Sequence, residues 1–257
     1  MTPAVDGHVT QAGDGFAARH AVLAAGYGNR PDPADPAQVL AMPIVLHISK
    51  TDPPARSALL AAAASATVAL CLDDRVGPDP DGIPGPWQYA LREWTDARIR
   101  KVARRARGAQ WLAAQDVDGV TVDADGAQAR ALVPGRVGDL DPRIKKLQIG
   151  GTDLDHDQPG AFPDTLPTLW VNASLGMTVG KAAAQVGHAS MLLAGAMSVE
   201  RALTWAADGY RCAVRDADEN AWAALCDEVA AGRAIAVRDA GFTEVAPGSM
   251  TVIAPVR

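Results

Sequence analysis

The chemistry-bearing side chains gather in the last third of the chain. From Gly180 to Met197 nearly every residue is small or apolar, and three larger polar groups interrupt the run: Lys181, Gln185 and His188. Their i, i+4, i+7 spacing puts an amine, an amide and an imidazole on one stripe of a helix, about 10 Å long. A lone histidine there would ordinarily be a satisfied core residue. Three polar groups on one stripe point instead to a cleft or an anionic ligand, because burying an unpaired Lys is costly. Lys181 follows Gly180 at the helix start, where free N–H groups and the helix dipole favour a phosphate or a developing oxyanion. A P-loop is not met. Gly176 and Gly180 are one residue too close, and Ala182 stands where Ser or Thr is required. Nucleotide binding is therefore the weakest of the functional readings.

A second group spans Asp239–Thr251 (DAGFTEVAPGSMT). Asp239, Thr243, Ser249 and Thr251 offer a carboxylate and hydroxyls in a loop punctuated by Gly and Pro, Gly248 among them. Alone it reads as a capped turn. A third group, Arg98, Arg100, Lys101, Arg104, Arg105 and Arg107, sets six cations in ten residues. It is either a solvated basic surface paired with the chain's acids or a contact for phosphates. Trp94 and Trp111 flank it and read as core residues rather than stacking platforms.

These groups need elements to hold them. Ile44–Ile48, Ile99–Arg107, Gly119–Val122 and Ala127–Val133 read as strands, and Pro54–Leu72 and Trp87–Trp94 as helices. After a polar Gly/Pro-rich stretch the pattern restarts. Thr168–Asn172, Tyr210–Arg215, Ala234–Val237 and Val252–Ala254 read as strands. Gly180–Met197, Ser198–Ala206, capped by Ser198, and Asn220–Ala231 read as helices. The alternation predicts an α/β fold, a mixed or parallel four-stranded sheet flanked by helices, present twice as a pseudo-repeat. Residues 1–42 form an N-terminal extension, with a short helix possible around Gly15–Ala25. A first domain covers 43–148, a linker 149–166 and a second domain 167–257. VTVDADGAQARALVPG mirrors IAVRDAGFTEVAPG, and Ser57, Ala61 and Ala64 fall, give or take one residue, where the second half has Lys181, Gln185 and His188.

The 257 residues carry 24 basic and 30 acidic side chains, a formal net charge of −6, which argues against a surface that is basic throughout. Cys71, Cys212 and Cys226 are scattered, with neither disulfide nor zinc spacing, so no metal and no cofactor are expected. No apolar run suits a membrane span, and the first residues do not read as a signal peptide. A cytoplasmic location is the expectation.

Stripe and loop together resemble a known family. VNASLGMTVGKAAAQVGHA resembles the signature V-R-x-D-L-x-M-x-x-G-K-x-A-A-Q-x-x-H-A of the type 2 peptidyl-tRNA hydrolases, the archaeal and eukaryotic type. DAGFTEVAPGSMTV resembles the later motif D-A-G-x-T-x-[IV]-x-x-G-[ST]-x-T. The resemblance covers about residues 167–254. It implies hydrolysis of the ester between a peptide and the tRNA 3′ ribose, with peptidyl-tRNA as partner and Lys181, Gln185, His188, Asp239 and Thr243 as catalytic residues. Asp239 or His188 would be general base, Lys181 would meet the oxyanion or the 3′-terminal phosphate, and Gln185 and Thr243 would orient water or the ester. Gly180, Gly248, Ser249, Thr251 and the basic patch would bind substrate. Asn172 and Ser174 depart from the family's Arg and Asp, which leaves an inactive tRNA- or RNA-binding member as the alternative. The first half would be a degenerate copy, packed on the second as an intrachain pseudo-dimer.

Overall fold

The computed structural model describes residues 7–79, 81–239 and 244–256. Helix α1 (Gly7–Ala24) leads to strand β1 (Leu40–His47), helices α2 (Arg56–Cys71) and α3 (Gln88–Thr95), and strand β2 (Lys101–Ala106). Helix α4 (Ala109–Gln115), the hairpin β3 (Gly119–Ala124) and β4 (Ala127–Leu132), the short β5 (Gly135–Arg136) and α5 (Pro142–Lys145) complete the first unit. The second unit runs β6 (Thr168–Asn172), α6 (Val179–Ala196), α7 (Val199–Ala207), β7 (Ala213–Ala217), α8 (Glu219–Ala230), β8 (Ala234–Arg238) and β9 (Met250–Pro255).

The two sheets share one plan. The first is ordered β2-β1-β4-β3, with β5 beside the start of β1, and the second is ordered β7-β6-β9-β8. In each, the first strand lies parallel to the second and antiparallel to the fourth, and the last two form an antiparallel pair. The mixed α/β sheet expected from the sequence is therefore present twice.

Between the sheets lie α2 and α6, packed on each other. Both are apolar nearly all round, as a helix enclosed on every side must be. Their alanines and glycines permit close approach: a Cβ at Gly187 would come 2.8 Å from Thr67 Oγ1. One hydrophobic core spans both units, and smaller clusters sit under Trp111 and under α8. Trp94 and Trp111 are core residues, Trp111 stacking on His47 at 4.8 Å.

Contacts between the units come in matched pairs. Ser65 Oγ on α2 donates to the Tyr210 carbonyl at 2.7 Å, and His188 Nε2 on α6 donates to the Ile99 carbonyl at 2.7 Å. Tyr210 and Ile99 both hold positive φ, 58° and 45°, which is uncommon for a bulky or β-branched residue. These left-handed residues explain why β2 and β7 begin two and three residues later than the pattern predicts. Trp94 and Trp205 brace the same two turns, donating Nε1–H to the carbonyls of Arg100 at 2.9 Å and Arg211 at 2.7 Å. Registering α2 and α6 on their first residues sets Ala58, Ala62 and Ser65 opposite Lys181, Gln185 and His188, one residue beyond Ser57, Ala61 and Ala64. The mirrored hairpin holds for the strands alone. Asp125 and Gly126, both at positive φ, close β3 onto β4 directly, whereas β8 and β9 are joined by residues 239–249.

The leading segment is longer and better packed than a short helix. Phe16, Arg19, His20 and Leu23 bury one face of α1. His20 Nε2 lies 2.8 Å from the Ala194 carbonyl on α6, and Arg19 Nε donates to Leu72 O at 2.9 Å. Helix α4 also escapes the pattern, being short and entered through Gly108 at positive φ. Residues 149–166 contain neither helix nor strand, yet they act as a strap. Thr152 Oγ1 accepts from Gly180 N–H at 3.0 Å at the head of α6, and Asp157 Oδ1 accepts from Ser57 N–H at 2.8 Å at the head of α2. No helix among the described residues is long and apolar enough to cross a membrane.

The α1–α6 crossing tests this packing. A Cβ at Gly195 would lie 2.5 Å from the Leu23 backbone oxygen, so Gly195→Ala must push α1 away. It should lower stability by about 1–3 kcal/mol, read from urea unfolding, with the α1 amides losing hydrogen-exchange protection first.

Candidate active site

A cleft of about 550 Å³ opens between the entry of β2 and the head of α6. Its first-unit wall comprises Arg98 to Ala103 with Tyr27, Asn29 and Ile149. Its second-unit wall carries Lys181, Gln185, His188, Arg238, Asp239 and Glu244.

Local capping fixes the second wall. Thr178 is the N-cap of α6, and its hydroxyl accepts from Lys181 N–H at 3.2 Å. Glu244 grips Thr178 in turn, accepting from its N–H at 3.0 Å and its hydroxyl at 2.8 Å. At the end of β8, Asp239 N–H donates to Ser249 O at 2.9 Å and Asp239 O accepts from Gly248 N–H at 2.7 Å. Gly248, at φ 79°, makes the turn that closes this pair. The Asp239 side chain is thereby aimed at α6.

There it meets two members of the stripe. Lys181 Nζ lies 2.5 Å and Gln185 Nε2 lies 2.8 Å from the same oxygen, Asp239 Oδ2. Thr251 Oγ1 donates to Gln185 Oε1 at 2.6 Å. The side chains of Lys181 and Asp239 are only 11% and 7% exposed, so each charge depends on the other for stabilisation. His188 stands apart from this group. Its bond to the Ile99 carbonyl makes Nε2 the protonated nitrogen, and burial, aided by the charge of Lys101, holds the imidazole neutral, well below its usual range. Lys101 itself packs over the Trp94 ring at 4.7 Å and donates to Ile99 O at 3.3 Å. Burial pulls its amine down to about 7.

The structure brings Lys181, Gln185, His188 and Asp239 to one cleft, together with Arg98, Arg100 and Lys101. Several other expectations change. The amide of Gly180 is taken by Thr152 and that of Lys181 by Thr178, so these two N–H groups at the head of α6 are already engaged and not open to a phosphate. Thr251 is fully buried behind Gln185, where its hydroxyl supports the amide. Gly248 and Ser249 hold the Asp239 backbone. Arg104 turns to Leu147 O at 2.8 Å and Arg105 to Gln148 Oε1 at 2.9 Å, away from the cleft lining, and Arg107 is exposed beyond them. The basic run therefore divides where β2 becomes regular. Thr243 lies outside the described residues. Asn172 and Ser174 form the turn after β6, Asn172 Oδ1 accepting from Ser174 N–H at 3.1 Å and Oγ–H at 2.7 Å. This neutral pair secures the loop without the two charges.

Residues 167–256 match the family model of peptidyl-tRNA hydrolase PTH2. The C-terminal unit is similar to this family. The match covers the second sheet with its helices and leaves the first unit outside. No curated protein and no solved structure matches the chain. Within the matched segment the two quoted motifs supply one wall of the cleft; the other wall comes from residues the family model does not reach. Among the described residues, no group of three or more His, Cys, Asp or Glu side chains is set to hold a metal.

Sequence reading overlooked Arg238, Glu244, Tyr27 and Asn29 in the lining. Arg238 carried a usable signal, being a charged residue at the end of a strand directly before Asp239. The others are brought in by tertiary contacts that leave no local pattern.

Two measurements probe this geometry. Thr251→Val leaves Gln185 Oε1 without its donor and should cost about 1–3 kcal/mol by chemical unfolding. For Lys101, the folded pKa of about 7 lies below the reference 10.5, so the unfolded chain binds the extra proton between these values. Stability should therefore rise with pH from about 7 to 9. Above pH 9 the buried thiols of Cys71 and Cys212, pushed up from 9.0 to about 12 and about 11, act in the opposite direction, and His188 acts below this range. Lys101→Met should remove that rise, and unfolding curves from about pH 7 to 9 compare the two directly.

Proposed function

We propose that the cleft hydrolyses the ester between a peptide and the 3′ ribose of tRNA, returning tRNA to translation in the cytoplasm. The observation that carries this reading is the shared oxygen of Asp239, bonded by Lys181 and Gln185 at a cleft wall inside the PTH2-matching segment. The reaction needs a fixed positive charge beside the developing oxyanion, a group to take a proton from water and a hold on the nucleic acid. Lys181 supplies the charge, kept in place by Asp239 and used where water is scarce. Asp239 and His188 are the two groups able to take the proton. Gln185, clamped by Thr251, orients the ester or the water. Arg98, Arg100 and Arg238 line the cleft and suit the 3′-terminal phosphates. Arg107, exposed just past the end of the same strand, suits the acceptor stem.

Residues 43–148, in this reading, are a degenerate copy of the second domain. Ala58 and Ala62 replace the amine and amide, and the tight Asp125–Gly126 hairpin has no room for the loop. The matched Ser65–Tyr210 and His188–Ile99 bonds support a two-fold arrangement within one chain, the first unit serving as the wall that a second subunit would otherwise provide.

The decisive assay is turnover of N-acetyl-aminoacyl-tRNA by the full chain. Lys181→Ala and Asp239→Ala should each lower kcat/KM by about 10²–10³-fold. Salt-sensitive tRNA binding without any ester cleavage would instead identify an inactive binding member.

A further inference from the structure

The first-unit wall carries two arginines engaged with one carboxylate. Residues 28–30 run along the turn that follows α3, donating backbone N–H groups from Gly28 to Thr95 O at 2.9 Å and from Asn29 to Ala97 O at 2.9 Å. Gly28 is required for this close approach, since a Cβ there would come 2.3 Å from Asp96 O. The pinned backbone delivers Asp32 to two arginines of the cleft lining. Arg100 grips Asp32 through both terminal nitrogens, Nη1 on Oδ1 and Nη2 on Oδ2, the second at 2.7 Å. Arg98 Nη1 stands 3.8 Å from Oδ2. Asp32 therefore uses one guanidinium fully and the other loosely.

A planar guanidinium receives a carboxylate or a phosphate in the same two-pronged way. A phosphodiester also has the breadth to engage both arginines. The acids of the cleft lining do not compete for the two arginines, because Asp239 is bonded to Lys181 and Gln185, and Glu244 to Thr178. The carboxylate of Asp32 is about one-third exposed, so an incoming anion can reach the pair. We propose that Arg98 and Arg100 form a phosphate subsite for the tRNA 3′ end, occupied by Asp32 as an internal stand-in that the bound phosphodiester displaces. This rests on the reading of the cleft as the place where a tRNA 3′ end sits.

The test is equilibrium binding of uncharged tRNA to the full chain, which contains no ester and so reads the subsite apart from catalysis. Asp32→Asn keeps the backbone bonds of residues 28–30 and removes the competing charge. It should tighten binding about two- to fivefold, the scale of one exposed ion pair. Asp125→Asn, the same charge change at a hairpin outside the cleft, should have no comparable effect. Arg100→Gln should weaken binding, and in the Asp32→Asn/Arg100→Gln double variant the tightening should vanish. Asp32→Asn binding no better than Asp125→Asn, or a gain that persists without Arg100, would overturn the subsite. If the ester is not cleaved but Asp32→Asn still tightens binding, the catalytic reading fails and the subsite stands. If the ester is cleaved and Asp32→Asn changes nothing, the subsite alone fails. Absence of tRNA binding by every variant overturns both.

Discussion

A buried ammonium sharing one carboxylate oxygen with an amide is the constraint that orders the rest of this molecule. Neither Lys181 nor Asp239 is tolerable alone at its depth, because an unpaired charge removed from water is expensive. The pairing sets conditions on three elements at once. Helix α6 must start at the level of the end of β8, which Thr178 and Glu244 secure. The strand must release Asp239 on the correct side, which the Gly248 turn and the irregular register after Val237 achieve. The remaining polar atoms must be satisfied, which Gln185 and Thr251 accomplish in sequence. A network of this kind is stable only when all its members are in place.

The second organising feature is the exchange of side-chain-to-carbonyl bonds between the two units. Each central helix reaches into the turn before the other unit's second strand, and each turn holds a bulky residue in a strained backbone conformation. Only one of the two crossings uses an imidazole. His188 consequently has its tautomer fixed by the first unit, and the cleft is walled by both. A separated C-terminal unit would retain its Lys181–Asp239 pair but would lose the Ile99 carbonyl, Lys101 and the arginines.

The sequence made the chemistry legible because the helix stripe and the loop are local patterns. An i, i+4, i+7 run of polar residues in an alanine-rich segment needs no tertiary knowledge to be noticed. The strand–helix alternation likewise gave the sheet plan twice. The errors have physical causes. Gly180 looked like an open anion site because the capping Thr152 is distant in sequence. The six cations looked like one patch because nothing local announces that Arg104 and Arg105 turn to residues 147 and 148. The repeat's hairpin looked equivalent because DADG and DAGF share composition, while a two-residue turn and an eleven-residue loop differ in what they can carry. Tyr27, Asn29 and Asp32 were invisible as site residues because only the docking of α1 and its following arm brings them to the cleft.

The central claim is that Lys181 and Asp239 act as one unit in catalysis. A double-mutant cycle on peptidyl-tRNA hydrolysis, using Lys181→Met, Asp239→Asn and both together, measures that coupling directly. The account predicts strong non-additivity, with the double variant no slower than the worse single one. Losses that simply multiply would mean that the two groups act independently and would contradict it.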